Sequence, residues 1–207
     1  LNTFTISALS LLTIGAGVLL GLAGRPQPDL VLAFSSLILA AMLTATLALQ
    51  RSTAKDWAIM PPSFVVDFTA LLLLGRDAAM LVAAAGAVVH GLMDSQVPQR
   101  FRRTAFTAAT AVAAVQAAGL IHQVVGGTIG SFAWPAQGVP IALAVIGYCI
   151  VASASAEIIV PLLTRQPVNR SWPASILRRG PLYFMGASVA VGLATITIQR
   201  VWEVVPV

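Results

Sequence analysis

Ser63-Phe-Val-Val-Asp-Phe-Thr-Ala-Leu-Leu-Leu-Leu-Gly-Arg-Asp-Ala-Ala-Met-Leu-Val-Ala-Ala-Ala-Gly-Ala87 is apolar on both sides of a three-residue break, Gly75-Arg76-Asp77. The same texture extends in both directions. Of 207 residues, 58% are hydrophobic and 9% are charged, and the mean hydropathy is +0.90. Soluble domains carry about a quarter charged residues, so lipid is the expected solvent. Uncharged runs approach the roughly 20 residues that a helix needs to cross a bilayer. The fold class read from this is all-α: a polytopic transmembrane helix bundle in one integral membrane domain covering residues 1–207, with about seven spans (six to eight).

The expected spans are Phe4–Leu22, Leu30–Leu49, Trp57–Leu74, Ala78–Met93, Ala105–Val125, Val139–Leu163 and Pro181–Ile198, separated by Gly, Pro or charge signals. The third and fourth are short enough to form a tight hairpin, to tilt, or to stop short of a full crossing. Phe4–Leu22 is too long, and lacks the basic leader, for a signal peptide. Trp202 to Val207 looks like the start of another apolar run or an interfacial tail, and the chain is read as a piece of a longer protein ending before a last span.

The net charge of +5 does not point to nucleic acid, because the basic residues fall in connectors. Placing connectors on alternate sides puts Arg51, Lys55, Arg100, Arg102, Arg103, Arg165, Arg170, Arg178 and Arg179 on the N-terminal side. Arg25, Arg76 and Arg200 fall opposite, so nine of the twelve basic residues share one face. Basic loop residues are retained in the cytoplasm, which predicts a cytoplasmic N-terminus. Arg100, Arg102, Arg103, Arg178 and Arg179 then anchor to anionic headgroups, each contributing about 1 kcal/mol. The uncharged loop Gly126–Gly138 falls outside, as flexible lining or a lid, and lacks the order of residues found in a phosphate cradle.

Lipid supplies no hydrophobic drive for helix association, so small residues must let helices approach. Gly17 and Gly21, Ala83, Ala87 and Gly91, and Gly186 with Ala190 recur at four-residue spacing. These patterns fit a packed bundle and say nothing of activity.

An ionisable group within a span costs a few kcal/mol unless it faces protein, water or a partner. Asp67 has Ser63 one turn before it, and is either a ligand or ion contact or a structural anchor. Glu157 has Cys149 and Ser153 at four-residue intervals on its face. Pro161 deprives the Glu157 carbonyl of its helical partner and predicts a kink. Glu157 also has the plain reading of an interfacial ion pair with Arg165. Gln116, Gly119 and Gln123 mark one face of the fifth span, lining a polar cavity or bonding across the bundle. Candidate ligand-binding residues are Asp67, Ser63, Gln116, Gln123, Tyr148, Ser153 and Glu157.

His90 and His122 fall near opposite ends of their spans, so no shared metal site is expected. Cys149 has no second cysteine for a disulfide. Hydrolase, metalloprotease and two-metal patterns are absent from the sequence, no residue pattern names a cofactor, and no catalysis is expected from this segment.

The stretch Pro62–Ala87, together with Arg102-Arg-Thr-Ala-Phe106, the Gly126-Gly127 loop and the connector from Ser171-Trp172 to Pro181-Leu-Tyr-Phe184, resembles the multi-pass N-terminal sensor domains of bacterial signalling proteins. In that group the membrane domain precedes an HD phosphodiesterase, diguanylate cyclase or histidine kinase module. The resemblance implies a sensor or anchor in the bacterial inner membrane, biased by a small hydrophobic or amphipathic ligand or by lipid, with a homodimer or a cytoplasmic effector as partner. Asp67 to Gly91 is also similar, more weakly, to the substrate-binding subunits of energy-coupling-factor vitamin transporters, which implies a solute-binding role instead. A structural subunit of a larger membrane complex is the third reading.

Overall fold

The computed structural model describes residues 31–51, 63–93, 100–130, 135–159 and 172–198. The expected first span, the Gly17/Gly21 pair, Arg25, Lys55, Pro161, Arg165, Arg170, Arg200 and the Trp202–Val207 end lie outside them. Every regular element among the described residues is helical: α1 (Val31–Arg51), α2 (Ser63–Leu74), α3 (Arg76–Met93), α4 (Arg100–Val124), α5 (Gly138–Ala154), which runs into a π turn at Ser155–Ile159, and α6 (Trp172–Ile198).

Three stretches are long and apolar enough to cross a membrane: Thr104–Val124, Gly138–Ile158 and Trp172–Ile198. Ala33–Leu47 and Ser63–Leu74 are shorter apolar helices. At about 1.5 Å per residue α2 rises about 18 Å, well short of a hydrocarbon core of about 30 Å.

The arrangement has α2 at its hub. Phe64, Val66, Asp67, Phe68, Thr69, Ala70, Leu71 and Leu72 are all buried, so this helix is covered on every side. It packs against α1, α3, α4 and α6, while α1–α3, α3–α4, α4–α5 and α5–α6 contacts form the wall around it. A helix apolar all round belongs in such a position. The wall helices turn large apolar side chains outward: Leu39 and Leu43 from α1, Val139 and Ile150 from α5, Leu177, Met185 and Val189 from α6. That surface suits acyl chains rather than water.

Glycines set the spacing of the wall. A Cβ on Gly86 would touch Ala41 Cβ at 3.4 Å, bringing α3 against α1. A Cβ on Gly91 would collide with Thr104 of α4, and one on Gly147 with Ile121 of α4. Backbones approach this closely only without side chains between them.

The α2–α3 break is a single residue. Gly75 has φ +84°, a conformation that side-chain-bearing residues adopt only at a cost. Its N–H bonds Leu71 O at 3.1 Å, the left-handed helix stop. The Gly130 N–H reaches Leu72 O at 3.1 Å, so the loop after α4 satisfies a second orphan carbonyl. At the start of α3, Arg76 Nε lies 3.4 Å from Asp77 Oδ1, an acidic partner suited to a helix N-terminus.

The last helix differs from expectation. It begins at Trp172, nine residues before the expected Pro181 start, and passes through Pro181 without a break. Arg178 and Arg179 therefore sit within α6 and not in a connector. Proline interrupts one backbone bond, to the carbonyl four residues earlier, and neighbouring groups make that tolerable in membrane helices.

Candidate functional site

Asp67 is the deepest carboxylate among the described residues, 2% exposed. It lies in the middle of the hub helix, where any direction leads into protein. The Tyr148 hydroxyl of α5 donates to its Oδ2 across 3.5 Å, long compared with the 2.7–2.8 Å of a strong O–H···O bond. Asp67 Oδ1 is buried with no hydrogen-bond partner. A buried carboxyl with one loose bond and one empty oxygen is poorly satisfied, and its charge state depends on small changes around it.

Through Tyr148 this carboxyl adjoins a cluster of aromatic rings. Phe64 meets Tyr148 edge-on at 4.7 Å between centroids and Tyr183 of α6 edge-on at 4.9 Å, and Phe68 stands 5.3 Å from Phe64. Tyr148 and Tyr183 are 6.0 Å apart. These are favoured T-shaped and tilted geometries, each contributing about 0.5–1.5 kcal/mol beyond simple burial. Three helices thus meet at four rings and one carboxylate.

A second polar group follows α5 away from this point. Cys149 Sγ and Ser153 Oγ are 4.0 Å apart and both buried. Past them the helix widens into the π turn Ser155–Ile159, where the Ser155 hydroxyl donates to Val151 O at 2.8 Å. Such widened turns expose backbone groups and recur at functional sites. Glu157 Oε1 lies in this turn, 3.0 Å from Arg179 Nη2 of α6. Glu157 is thus paired across helices with Arg179; Arg165, the partner the sequence suggested, lies outside the described residues. The departure from α geometry starts at Ser155, upstream of Pro161.

The other candidates divide. Ser63 is half-buried at the start of α2, one turn from Asp67. Gln116 is partly buried, and its Oε1 lacks a partner. Gln123 is exposed, so the face expected to join it to Gln116 does not stay inside to the end of α4. Gly119, between them, is closed off: a Cβ there would stand 2.6 Å from Arg76 Cβ and 3.1 Å from Leu71 Cδ1. This face therefore packs against α2 and α3 at Gly119 and leaves no polar lining there. Arg100, Arg102 and Arg103 occupy the first turn of α4.

His122 is 2% exposed with Nε2 unpartnered. Gly127 lies flat against its ring, leaving no room for a Cβ, and donates its N–H to His122 O at 2.7 Å. The loop is fastened further by Gln137, whose Nε2 donates to Thr128 Oγ1 at 2.7 Å. Residues 131–134 of this loop, which was expected to be flexible lining or a lid, lie outside the described residues. No group of three His, Cys, Asp or Glu side chains suited to a metal occurs among the described residues.

Tyr183 is the participant that sequence reasoning passed over. Its signal was the buried face of α6: Tyr183, Gly186, Ala187, Ala190 and Ala194 recur at three- and four-residue steps. No family model matches this chain, and no curated protein is detectably similar to it.

Proposed function

We propose that the chain is the membrane-embedded sensor or anchor domain of a bacterial signalling protein, crossing the inner membrane about seven times with its N-terminus in the cytoplasm. The observation that carries this reading is the poorly satisfied Asp67, set where α2, α5 and α6 meet. A group whose charge or bonding changes there alters how three helices pack, and α6 conveys the change along its length. A small apolar or amphipathic molecule, or lipid itself, then acts by favouring one of two packings through its differential affinity. The resemblance to multi-pass sensor domains, the basic asymmetry and the absence of catalytic patterns in the sequence point the same way.

The test is a distance measurement between spin labels on outward positions of α1 and α6, Leu43 and Met185, in the full chain in vesicles. Two populations are expected, with a ratio that changes in Asp67→Asn while helix content stays constant. One identical distance distribution in the native chain, Asp67→Asn and Asp67→Leu would sink the proposal.

A further inference from the structure

Asp67 is the only ionisable residue of α2, and the elements packed on that helix bring it no counter-charge. Between Ala33 and Leu47, α1 has no ionisable side chain. α3 carries Arg76 and Asp77 at its start, where Arg76 Nε lies 3.4 Å from Asp77 Oδ1, and His90 in its last turn. Asp67 precedes the Gly75 turn by about 12 Å of helix rise. α4 carries Arg100, Arg102 and Arg103 in its first turn and His122 in its last. α5 brings the Tyr148 phenol and the Cys149 thiol, with Glu157 in the π turn beyond. α6 brings Tyr183, Arg178 and Arg179, the last held by Glu157 at 3.0 Å.

The carboxyl is 2% exposed, its Oδ1 is enclosed with no hydrogen-bond partner, and its Oδ2 has one loose partner at 3.5 Å. Ionised in that setting, it would be an unpaired charge that nothing solvates, a state far costlier than one unsatisfied hydroxyl. Room and donor atoms limit what can neutralise it. A metal ion needs several ligands, and no group of three His, Cys, Asp or Glu side chains forms there among the described residues. An organic cation needs space against Oδ1, which the surrounding protein closes off. A proton needs neither.

We propose that Asp67 is a proton-binding site, carrying a proton on Oδ1 while α2, α5 and α6 pack as described and releasing it when the α2–α5 contact opens to water. The inference rests on the sensor reading for its purpose and names the proton as a signal read at Asp67. The step balances: the Oδ1–H bond breaks, its electron pair stays on the carboxylate, and entering water takes the proton as hydronium. In the closed packing the Tyr148 hydroxyl serves Oδ2, and the proton on Oδ1 removes the charge. The ionised form needs more donors than one phenol at 3.5 Å supplies. It therefore draws in water or pulls the phenol closer, and either change moves α5 against α2. The closed packing holds one more proton than the open one, so by linkage rising pH favours the open state and falling pH the closed one.

The experiment is infrared spectroscopy of the full chain in neutral-lipid vesicles as pH is varied. At about pH 6, where an aspartate in water is almost fully ionised, a carboxylic C=O band is expected that disappears in Asp67→Asn. The protonated fraction of this carboxyl should exceed that of an aspartate in water at least tenfold at that pH. The band should also shift when the native chain carries aspartate isotopically labelled at its side-chain carboxyl, a result that needs no variant to fold. Absence of a labelled acid band at about pH 6, or its survival in Asp67→Asn, overturns the proposal. Spin-label distances between Leu43 and Met185 in the same samples separate this site from the packing reading. In the native chain they should change together with the band, and in Asp67→Asn, neutral at every pH, they should keep the native low-pH distribution. An acid band with distances indifferent to pH and to Asp67→Asn overturns the packing reading and leaves the site standing, whereas distances that follow Asp67→Asn with no acid band overturn the proton site alone.

Discussion

Tyr148 and Asp67 are 81 positions apart in sequence, and their side chains meet at 3.5 Å in the centre of the bundle. The phenol is held mainly by its ring, edge-on to Phe64, and only weakly by its hydroxyl. Tyr148→Phe should therefore cost no more than about 1 kcal/mol, the net value of an ordinary hydrogen bond. Phe64→Ala, which removes the ring contacted by Phe68, Tyr148 and Tyr183, should cost about 3 kcal/mol or more. Thermal unfolding in detergent, compared between the two variants, checks the ranking.

Glu157 and Arg179 tie the π turn to α6, with the arginine well exposed. A pair of this kind contributes about 1 kcal/mol at most once solvent screening is counted. Glu157→Ala should lower the melting temperature slightly, and the exchange Glu157→Arg with Arg179→Glu should recover most of the loss. A double-mutant cycle reads the coupling directly. A cycle showing no coupling would mean that the 3.0 Å contact holds nothing together.

Gly91 and Gly192 offer a matched comparison. A Cβ at Gly91 runs into Thr104, whereas one at Gly192 meets nothing within 4 Å. Gly91→Ala should destabilise by about 1–3 kcal/mol, the usual cost of overpacking. Gly192→Ala should be neutral or stabilise by up to about 1 kcal/mol through helix propensity. Melting temperatures in one detergent decide it, and equal effects at both sites would refute the close α3–α4 approach.

Gly75→Ala meets two obstacles, a left-handed φ and the Ile129 Cδ1 atom at 3.0 Å. The backbone part alone costs about 1–2 kcal/mol. Adding Ile129→Ala removes the contact and leaves that backbone part in place, so the double variant should recover only a fraction of the lost stability. Full recovery would show that φ is unimportant at the turn.

Much of this architecture was legible in advance because lipid imposes simple rules. Long uncharged runs must be helical, and a carboxylate such as Asp67 must turn inward. The sharp α2–α3 junction could be read from Gly75-Arg76-Asp77 alone. What escaped were relationships that no local rule encodes. Tyr183 lies far from Phe64 in sequence, and ring contacts leave no periodic trace. Arg178 and Arg179 look like a connector because two charges interrupt the apolar pattern, but a helix carries them once Glu157 supplies a partner across the interface. Pro181 suggested a start where the helix simply continues. Gln123 followed Gln116 at helical spacing, and only the end of the bundle puts it in solvent or headgroups.

The bond from Gly130 N–H to Leu72 O ties the loop after α4 to the end of α2, and the seating of Gly127 on His122 ties it to the end of α4 itself. Held there, a rigid α4 would turn about this end. With α4 rising about 37 Å over its 25 residues, a tilt of about 5° about this point carries the helix's far end about 3 Å. A small disturbance at such a pivot would become a displacement of about two bond lengths at Arg100, where the first turn of α4 lies.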